Sequence, residues 1–364
     1  MSGQLVDRIW YGRSASDRAL RALLRPAGWA YAGATAVRNA LYDRGVLATH
    51  LPAVPSLAIG NLSVGGTGKT PVAAWAARAL QDRGARPAIV LRGYGDDEPL
   101  VHARLNPGVI VVADPDRVRG VAEATRRGAD CAVLDDAFQH RRVGRIADWV
   151  LVAAEGWRNG AGRLPAGPLR ESEGALGRAS LLVVTRKTAS LDEAEALASS
   201  LSRHVRNGAH AVVHLSPHSI VPLDGEAQPI SAIRGRRFAA VAAIGAPQAF
   251  FAQLRALGGL ISETAYRDHH RFTPDDTERI RSAARGTEGV LCTLKDAVKL
   301  APLWRGADAP LWYVSQAVTV DRGASTLDAS LEAVLMARVQ PFHHAGSAGP
   351  SVPDHGHRSS TADR

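Results

Sequence analysis

Residues 56–70 read as an apolar strand running into a glycine-rich turn that ends in Lys-Thr and leads into a helical pattern. That combination binds phosphate. Gly65, Gly66 and Gly68 let the backbone around Thr67 aim successive N–H groups inward, Lys69 reaches the β- and γ-phosphates, and the Thr70 hydroxyl ligates Mg²⁺. The helix starting near Pro71 adds its positive N-terminal dipole to the same anion. The strict motif has glycine where Ser63 stands, so the signal rests on residues 65–70. The apolar run 131–134 closes in Asp135-Asp136, and an aspartate at a strand end is how a phosphate-loop enzyme holds Mg²⁺ directly or through water. Alternation along a strand points two adjacent carboxylates in opposite directions, which leaves one for the metal and allows helix capping for the other. Phe138-Gln139-His140-Arg141-Arg142, Arg92-Gly93-Tyr94-Gly95 and Asp97-Glu98-Pro99 also follow strand ends, where open α/β sheets bind their ligands.

The elements that must position these residues alternate along the chain. Apolar runs at 87–91, 109–113, 131–134, 149–153 and 180–185, separated by helical or loop segments, predict an α/β fold: a P-loop NTPase-like, doubly wound and mainly parallel sheet. Right-handed crossovers bring the phosphate loop and the other strand ends to one rim. A second set starts near Arg237, with strands at 238–244, 290–293 and 311–314 and helices at 247–257 and 326–338. It reads as a smaller α/β domain joined through residues 217–229. The expected organisation is an N-terminal amphipathic helical segment over 1–50, a phosphate-loop domain over 51–220, the smaller domain over 221–340, and a tail over 341–364. That tail is rich in Gly, Pro, Ser and His and cannot bury a core, so it is expected to be disordered.

The 364 residues suffice for two domains, and no stretch approaches the roughly 20 apolar residues needed to span a bilayer. A net charge of +9 implies an anionic partner: a phosphorylated substrate, a membrane surface or a nucleic acid. Cys131 and Cys292 lie in apolar strand-like runs without metal-ligand spacing, which predicts buried structural thiols in a reducing cytosol. Near the amino end, Arg18, Arg21 and Arg25 recur on one helical face and Leu20, Leu23 and Leu24 on another. Pro26 is expected to restart the helix, after which Trp29, Gly33, Ala36, Val37, Ala40 and Leu41 continue an apolar stripe. Such a segment either lies in the plane of an anionic leaflet or packs on its own domain. Its charges interrupt any signal-peptide core.

Taken together, the motifs resemble the tetraacyldisaccharide 4′-kinases, enzymes that phosphorylate an acylated glucosamine disaccharide during lipid A synthesis. The resemblance extends to about residue 338. It is carried by Gly60-Asn61 through Pro71, Arg92 to Gly95, Asp97-Glu98-Pro99, Asp116-Arg117, Leu134 to Arg141, Leu164 to Glu171, Asp268-His269-His270, and Lys295-Asp296-Ala297-Val298-Lys299. Ala137 stands where that family has glycine, Leu294 where it has glutamate, and the stretch between Gly95 and Asp97 is shortened. The resemblance implies ATP- and Mg²⁺-dependent transfer of the γ-phosphoryl group to the 4′-hydroxyl of an acylated glucosamine disaccharide 1-phosphate lipid. It further implies work at an anionic membrane surface, peripherally on the cytoplasmic face of the inner membrane. Carried over by position, Asp97 is the general base, assisted by His269, with Lys69 acting in catalysis. Glu98, Asp135 and Asp136 join Thr70 at the metal, and Arg117, Gln139, His140, Arg170 and Glu171 line the substrate or nucleotide. His270 is expected to be a bystander, and Gly167 and Pro168 to shape a loop.

Two other classes use part of the same pattern. A GTP-hydrolysing switch needs an Asn/Thr-Lys-x-Asp element, and both Thr293-Leu294-Lys295-Asp296 and Thr185-Arg186-Lys187-Thr188 fail that spacing. A nucleic-acid-binding ATPase would account for the charge. The chain shows neither a basic stripe interleaved with aromatics nor a zinc or helix-turn-helix pattern, and no nucleic acid is expected as a partner.

Overall fold

The computed structural model describes residues 3–93, 97–158, 160–245, 247–304 and 309–338. Tyr94, Gly95 and the histidine-rich tail lie outside the described residues. The chain opens on α1 (Gly3–Tyr11) and α2 (Ala15–Asp43). It then alternates β1 (Ser56–Asn61), α3 (Lys69–Asp82), β2 (Pro87–Leu91), α4 (Asp97–Leu105), β3 (Ile110–Ala113), α5 (Arg117–Arg126) and β4 (Cys131–Asp135). β5 (Ala147–Ala153), β6 (Leu181–Arg186), α6 (Leu191–Ser202) and β7 (His210–Pro222) complete the first half. The second half holds β8 (Gln228–Pro229), β9 (Phe238–Ala242), α7 (Pro247–Leu257), β10 (Leu260–Ala265), α8 (Pro274–Ala283), β11 (Val290–Thr293) and α9 (Leu294–Leu300). β12 (Leu311–Arg322) and α10 (Ala324–Met336) close the chain.

All of these strands belong to one sheet, in the order β10-β9-β11-β12-β7-β6-β5-β1-β4-β2-β3 with β8 beside β7. Neighbours are parallel except where β12 and β8 meet β7. The parallel strands of the two halves therefore run in opposite senses, joined by the long β7–β12 ribbon. The register shows what this does to the strand ends. Arg186, the last residue of β6, pairs with His214, while Thr293, the last of β11, pairs with Val314, itself opposite Ile220. The C-terminal ends of both halves thus face each other across the middle of the ribbon, and loops leaving those ends share one cleft. β12 runs well past the expected end at Val314 because residues 315–322 pair with β7 inside the first half.

Packing follows burial. Leu57 and Ile59 of β1, Val72, Ala76 and Leu80 of α3, and Trp149 of β5 form a core with Leu327, Leu331 and Val334 of α10. The terminal helix, which follows the second set in sequence, packs on the first half, pinned by Trp149 Nε1 donating to Ser330 Oγ at 2.7 Å. Replacing the fully buried Leu331 by Ala would cost about 2–5 kcal/mol. α4 does the converse. Its Val101 is buried among Ala239, Val241, Ala297 and Leu300 of the second half, so a helix of the first half seals the core of the other.

α2 is continuous through Pro26, and of its 29 residues only Asp17 and Gly28 are buried. The helical break falls earlier, where Ser14 and Asp17 cap α2 reciprocally. Both cysteines are buried; burial pushes the Cys131 thiol up to about 12 and the Cys292 thiol well above its ordinary value.

Candidate active site

The turn between β1 and α3 is held from three sides. Gly65 and Gly68 have φ of 126° and 81°, the left-handed region where a side chain strains the backbone. Thr67 is buried: its hydroxyl accepts from Asn61 Nδ2 at 3.0 Å and its carbonyl from Thr185 Oγ1 at 3.1 Å. The segment 162–171 runs alongside, with Val64 N donating to Pro168 O at 2.8 Å and Arg170 N to Leu62 O at 2.7 Å. Gly167 fits there because a Cβ would stand 2.3 Å from the Gly162 carbonyl oxygen, so it shapes this loop as expected. Arg170 is thereby delivered to Asp136, with Nη1 at 2.9 and 3.1 Å from the two carboxylate oxygens. Lys69 Nζ lies 3.7 Å from the same carboxylate. Burial pushes the Lys69 ammonium below its ordinary value, opposed by the Asp136 charge. Gly66 is exposed, and Thr70 is half-buried at the start of α3.

At the end of β4 the two aspartates part company. Asp135 is buried and its Oδ2 pairs with His102 Nε2 of α4 at 2.9 Å. Burial opposes its ionisation, but His102 and the Lys69 charge outweigh that and hold the carboxyl below its usual range. Asp136 has φ of 50°, one of two non-glycine residues in the left-handed region among the described residues, the other being His269. The strand has turned by then, so its carboxylate meets Lys69 and Arg170. Ala137 has no positive φ and packs with Ala58 and Leu134, which explains why alanine suffices there. Close approach falls instead on Gly60, where a Cβ would lie 2.5 Å from Phe138 Cβ. Arg117 is buried, its Nη1 donating to Asp114 O at 3.0 Å and its Nη2 to Asp135 O at 3.2 Å.

α4 brings Asp97 and Glu98 in its first turn, where carboxylates complement the helix dipole. Asp97 is buried, with Oδ2 3.5 Å from Lys299 Nζ of α9. Burial raises the Glu98 pKa above its ordinary value, countered by Lys295 and reinforced by Asp135, Asp97 and Asp136. Glu98, Lys69, Lys295 and both aspartates therefore share one electrostatic field.

Gln139 Nε2 donates to Asn61 O at 2.8 Å, and its Oε1 lies 3.5 Å from Arg170. His140 is half-buried with Nε2 unpaired, and burial together with Arg117 and Arg145 lowers its pKa to about 4. Glu171 is buried and already engaged: both oxygens take Arg178 Nη2 at 3.0 Å, and Oε2 takes Asn39 of α2 at 2.6 Å. His269 stands on an exposed turn after β10, with Nε2 3.9 Å from Asp268 Oδ1. Its neighbour His270 is the anchored one, pairing with Asp276 at 2.9 Å and stacking on Tyr266 at 4.7 Å.

Three contributors carried no expected role: His102, Lys299, and Asn61 as the brace of Thr67. His102 follows Glu98 by four residues, one helical turn, which was the available signal. Lys299 stood in a recognised motif, but only the packing of α4 on α9 discloses its partner. No group of three or more His, Cys, Asp or Glu among the described residues forms a metal cage of its own. Mg²⁺ bound with phosphates and waters needs only one or two carboxylates. Asp135 Oδ1, buried without a hydrogen-bond partner, fits that requirement.

A glycine-rich loop closing on Lys-Thr, strand-end carboxylates and arginines around one cleft define a P-loop phosphotransferase. Comparison then gives the family. The chain belongs to the tetraacyldisaccharide-1-P 4′-kinase family, whose model matches residues 20–97 and 95–336. It is 38% identical over 341 residues to the tetraacyldisaccharide 4′-kinase of Anaeromyxobacter sp. (strain K), covering 85% of this chain and 90% of that one. The corresponding protein of Geobacter metallireducens is 36% identical over 316 residues, covering 79% and 90%. Among solved structures, LpxK from Aquifex aeolicus in complex with ATP superposes with a TM-score of 0.70 at 27% identity, covering 86% of this chain and 99% of that one.

Proposed function

We propose that this chain transfers the γ-phosphoryl group of ATP to the 4′-hydroxyl of an acylated glucosamine disaccharide 1-phosphate, yielding the 1,4′-bisphosphorylated lipid. The observation that carries the reading is the convergence of Lys69, Arg170 and Asp136 at the phosphate loop with Asp97 and Glu98 on α4, in a chain of this family. The N–H groups of residues 65–70 and the Lys69 ammonium bind and orient the triphosphate. Thr70, Asp135, Asp136 and Glu98 would hold Mg²⁺, which supplies neutralising charge to the phosphoryl group in flight. A sugar hydroxyl is barely ionised at neutral pH, so a positioned base must take its proton as the new P–O bond forms. Asp97 takes that role, with the Lys299 ammonium balancing its charge and His269 as its assistant. Arg117, Gln139, His140 and Arg170 orient the acceptor and the transferred group, while Glu171 contributes by bracing Arg178 and Asn39 behind them.

The acceptor is anchored by acyl chains, so the cleft works against a bilayer, on the cytoplasmic face where ATP is available. No helix among the described residues is long and apolar enough to cross a membrane. α2 supports peripheral attachment: residues 26–37 carry no charged side chain, and Leu23, Trp29 and Val37 are 75%, 71% and 62% exposed. Apolar side chains left this open suit shallow insertion into a leaflet. Incubation with γ-labelled ATP, Mg²⁺ and detergent-dispersed disaccharide 1-phosphate should give a labelled, doubly phosphorylated lipid. ATP turnover that ignores the lipid and leaves it unlabelled would refute the proposal.

A further inference from the structure

Between β4 and β5 the chain forms no helix or named strand, yet it carries Asp136, Gln139 and His140. Backbone carbonyls in such a segment need partners from elsewhere, and here consecutive ones are taken by arginines. Arg145 Nη1 donates to Ala137 O at 3.0 Å and to His140 O at 2.9 Å, and its Nη2 to Phe138 O at 3.2 Å. Arg38 of α2 donates to Gln139 O at 2.6 Å. The Arg145 side chain is only 10% exposed and is fixed in turn by Asp148 at 2.8 Å. The carbonyls of Arg141 and Arg142 accept from Thr49 Oγ1 at 3.1 Å and His50 N at 2.7 Å.

We propose that Arg38 and Arg145 are positioning residues for phosphoryl transfer, holding the carbonyls of residues 137–140 and so fixing where the Asp136 and Gln139 side chains stand before the phosphate loop. The proposal rests on the kinase reading of that site. The backbone of Asp136 gives the physical reason. A non-glycine residue at φ of 50° persists only where its surroundings over-determine it. On one side, Arg117 binds the Asp135 carbonyl; on the other, Ala137 N donates to Ile59 O at 3.1 Å, and the two arginines grip the four carbonyls that follow. Loosening that grip lets Asp136 relax toward an ordinary φ, carrying its carboxylate away from Lys69 and Arg170. A misplacement of about 1 Å at a reacting centre can cost about 10²-fold in rate.

The test uses the full chain in the lipid phosphorylation assay, with Arg145→Lys, Arg38→Gln, Gln139→Ala and the Arg38→Gln/Gln139→Ala pair. An ammonium cannot serve three carbonyls in the fork geometry of a guanidinium, so Arg145→Lys keeps the charge and loses the clamp. Arg145 is also no part of α2, which separates positioning from membrane contact. Each arginine variant is expected to lose about 10-fold in kcat while KM for ATP stays within about twofold and Tm does not account for the loss. Arg145 holds the carbonyls nearest Asp136, whereas Arg38 holds that of Gln139 itself and acts through its side chain, so in the Gln139→Ala background the Arg38→Gln loss should shrink to about twofold or less. Unchanged kcat, an equal loss in both backgrounds, or a loss that tracks the folded fraction would overturn the proposal. An inactive wild-type protein would instead refute the kinase reading.

Discussion

Around the phosphate loop, Lys69, Asp135, Asp136, Arg117 and Arg170 each hold a partner and are buried or half-buried, whereas His269 is 57% exposed in its side chain and, among the described residues, pairs with Asp268 alone. Both regions place a non-glycine residue in the left-handed region, Asp136 at 50° and His269 at 56°. They differ in what holds it. Asp136 is gripped on both sides by bound backbone, while the His269 turn is anchored one residue on, at His270, and leaves its tip in solvent. The phosphate side is held by its own ion pairs and hydrogen bonds before any ligand enters, which is the arrangement electrostatic preorganisation requires. The His269 side has an anchored base and an open tip, so any part it takes in the chemistry is completed by what binds in the cleft.

Breaking the built side should cost the most. Lys69→Ala is expected to raise KM for ATP and lower kcat together, because in the proposed mechanism Lys69 contacts the phosphates both before and during transfer. Asp97→Asn should act mainly on kcat, by about 10² to 10⁴-fold. Steady-state kinetics on folded variants checks both. Near-normal kcat in Asp97→Asn would remove it as the base.

His269→Ala sharpens the contrast. If His269 assists Asp97, the double variant should lose much less than the product of the two single losses, since residues acting as a unit are non-additive. Multiplicative losses would place His269 in substrate contact, as its exposure also allows.

The same contrast marks where sequence reasoning reached. The phosphate loop was legible because its glycines, Lys69 and Thr70 act within one short turn whose chemistry is local. The strands 87–91 and 290–293 were legible because continuous apolar runs report burial on both faces. What sequence order hides is register across the β7–β12 ribbon and the exchange of helices between halves. α10 follows the second set yet packs on the first, and α4 belongs to the first yet seals the second. Lys299 was visible as a motif residue, but its partner Asp97 depends on that exchange. Pro26 misled for a local reason: it removes one backbone donor, and α2 tolerates the loss in a helix exposed over most of its length.

A smaller effect separates the two sides by pH. His140 belongs to the built side, and its pKa is lowered from 6.5 to about 4 by burial and by Arg117 and Arg145. Between those values the unfolded chain binds more protons than the folded one, so stability falls as pH drops from 6.5 toward about 4. Denaturant midpoints taken across this window should decline less steeply in His140→Asn than in the wild type. Parallel slopes would mean that other groups set the acid limit.

The smallest effects are expected at α2, where the arginines that look alike in sequence are used differently. Arg21 Nε donates to Ile9 O at 2.7 Å and its Nη2 to Gly12 O at 2.8 Å, while Arg18 Nη1 donates to Arg13 O at 2.6 Å. Arg21 thus ties α1 to α2 and Arg18 holds the connection between them, whereas Arg25 is exposed and makes no hydrogen bond or ion pair among the described residues. Arg25→Gln should therefore weaken binding to anionic vesicles by about 1 kcal/mol at low salt, and by less as salt rises. Trp29→Ser should weaken binding at every salt concentration, because it removes inserted apolar area. Arg21→Gln should add a loss of α1 order, seen as faster amide exchange over residues 3–13. ATP affinity should change in none of them. Vesicle flotation across salt concentrations decides the matter: equal binding by wild type, Arg25→Gln and Trp29→Ser would mean that the exposed face of α2 does not meet lipid.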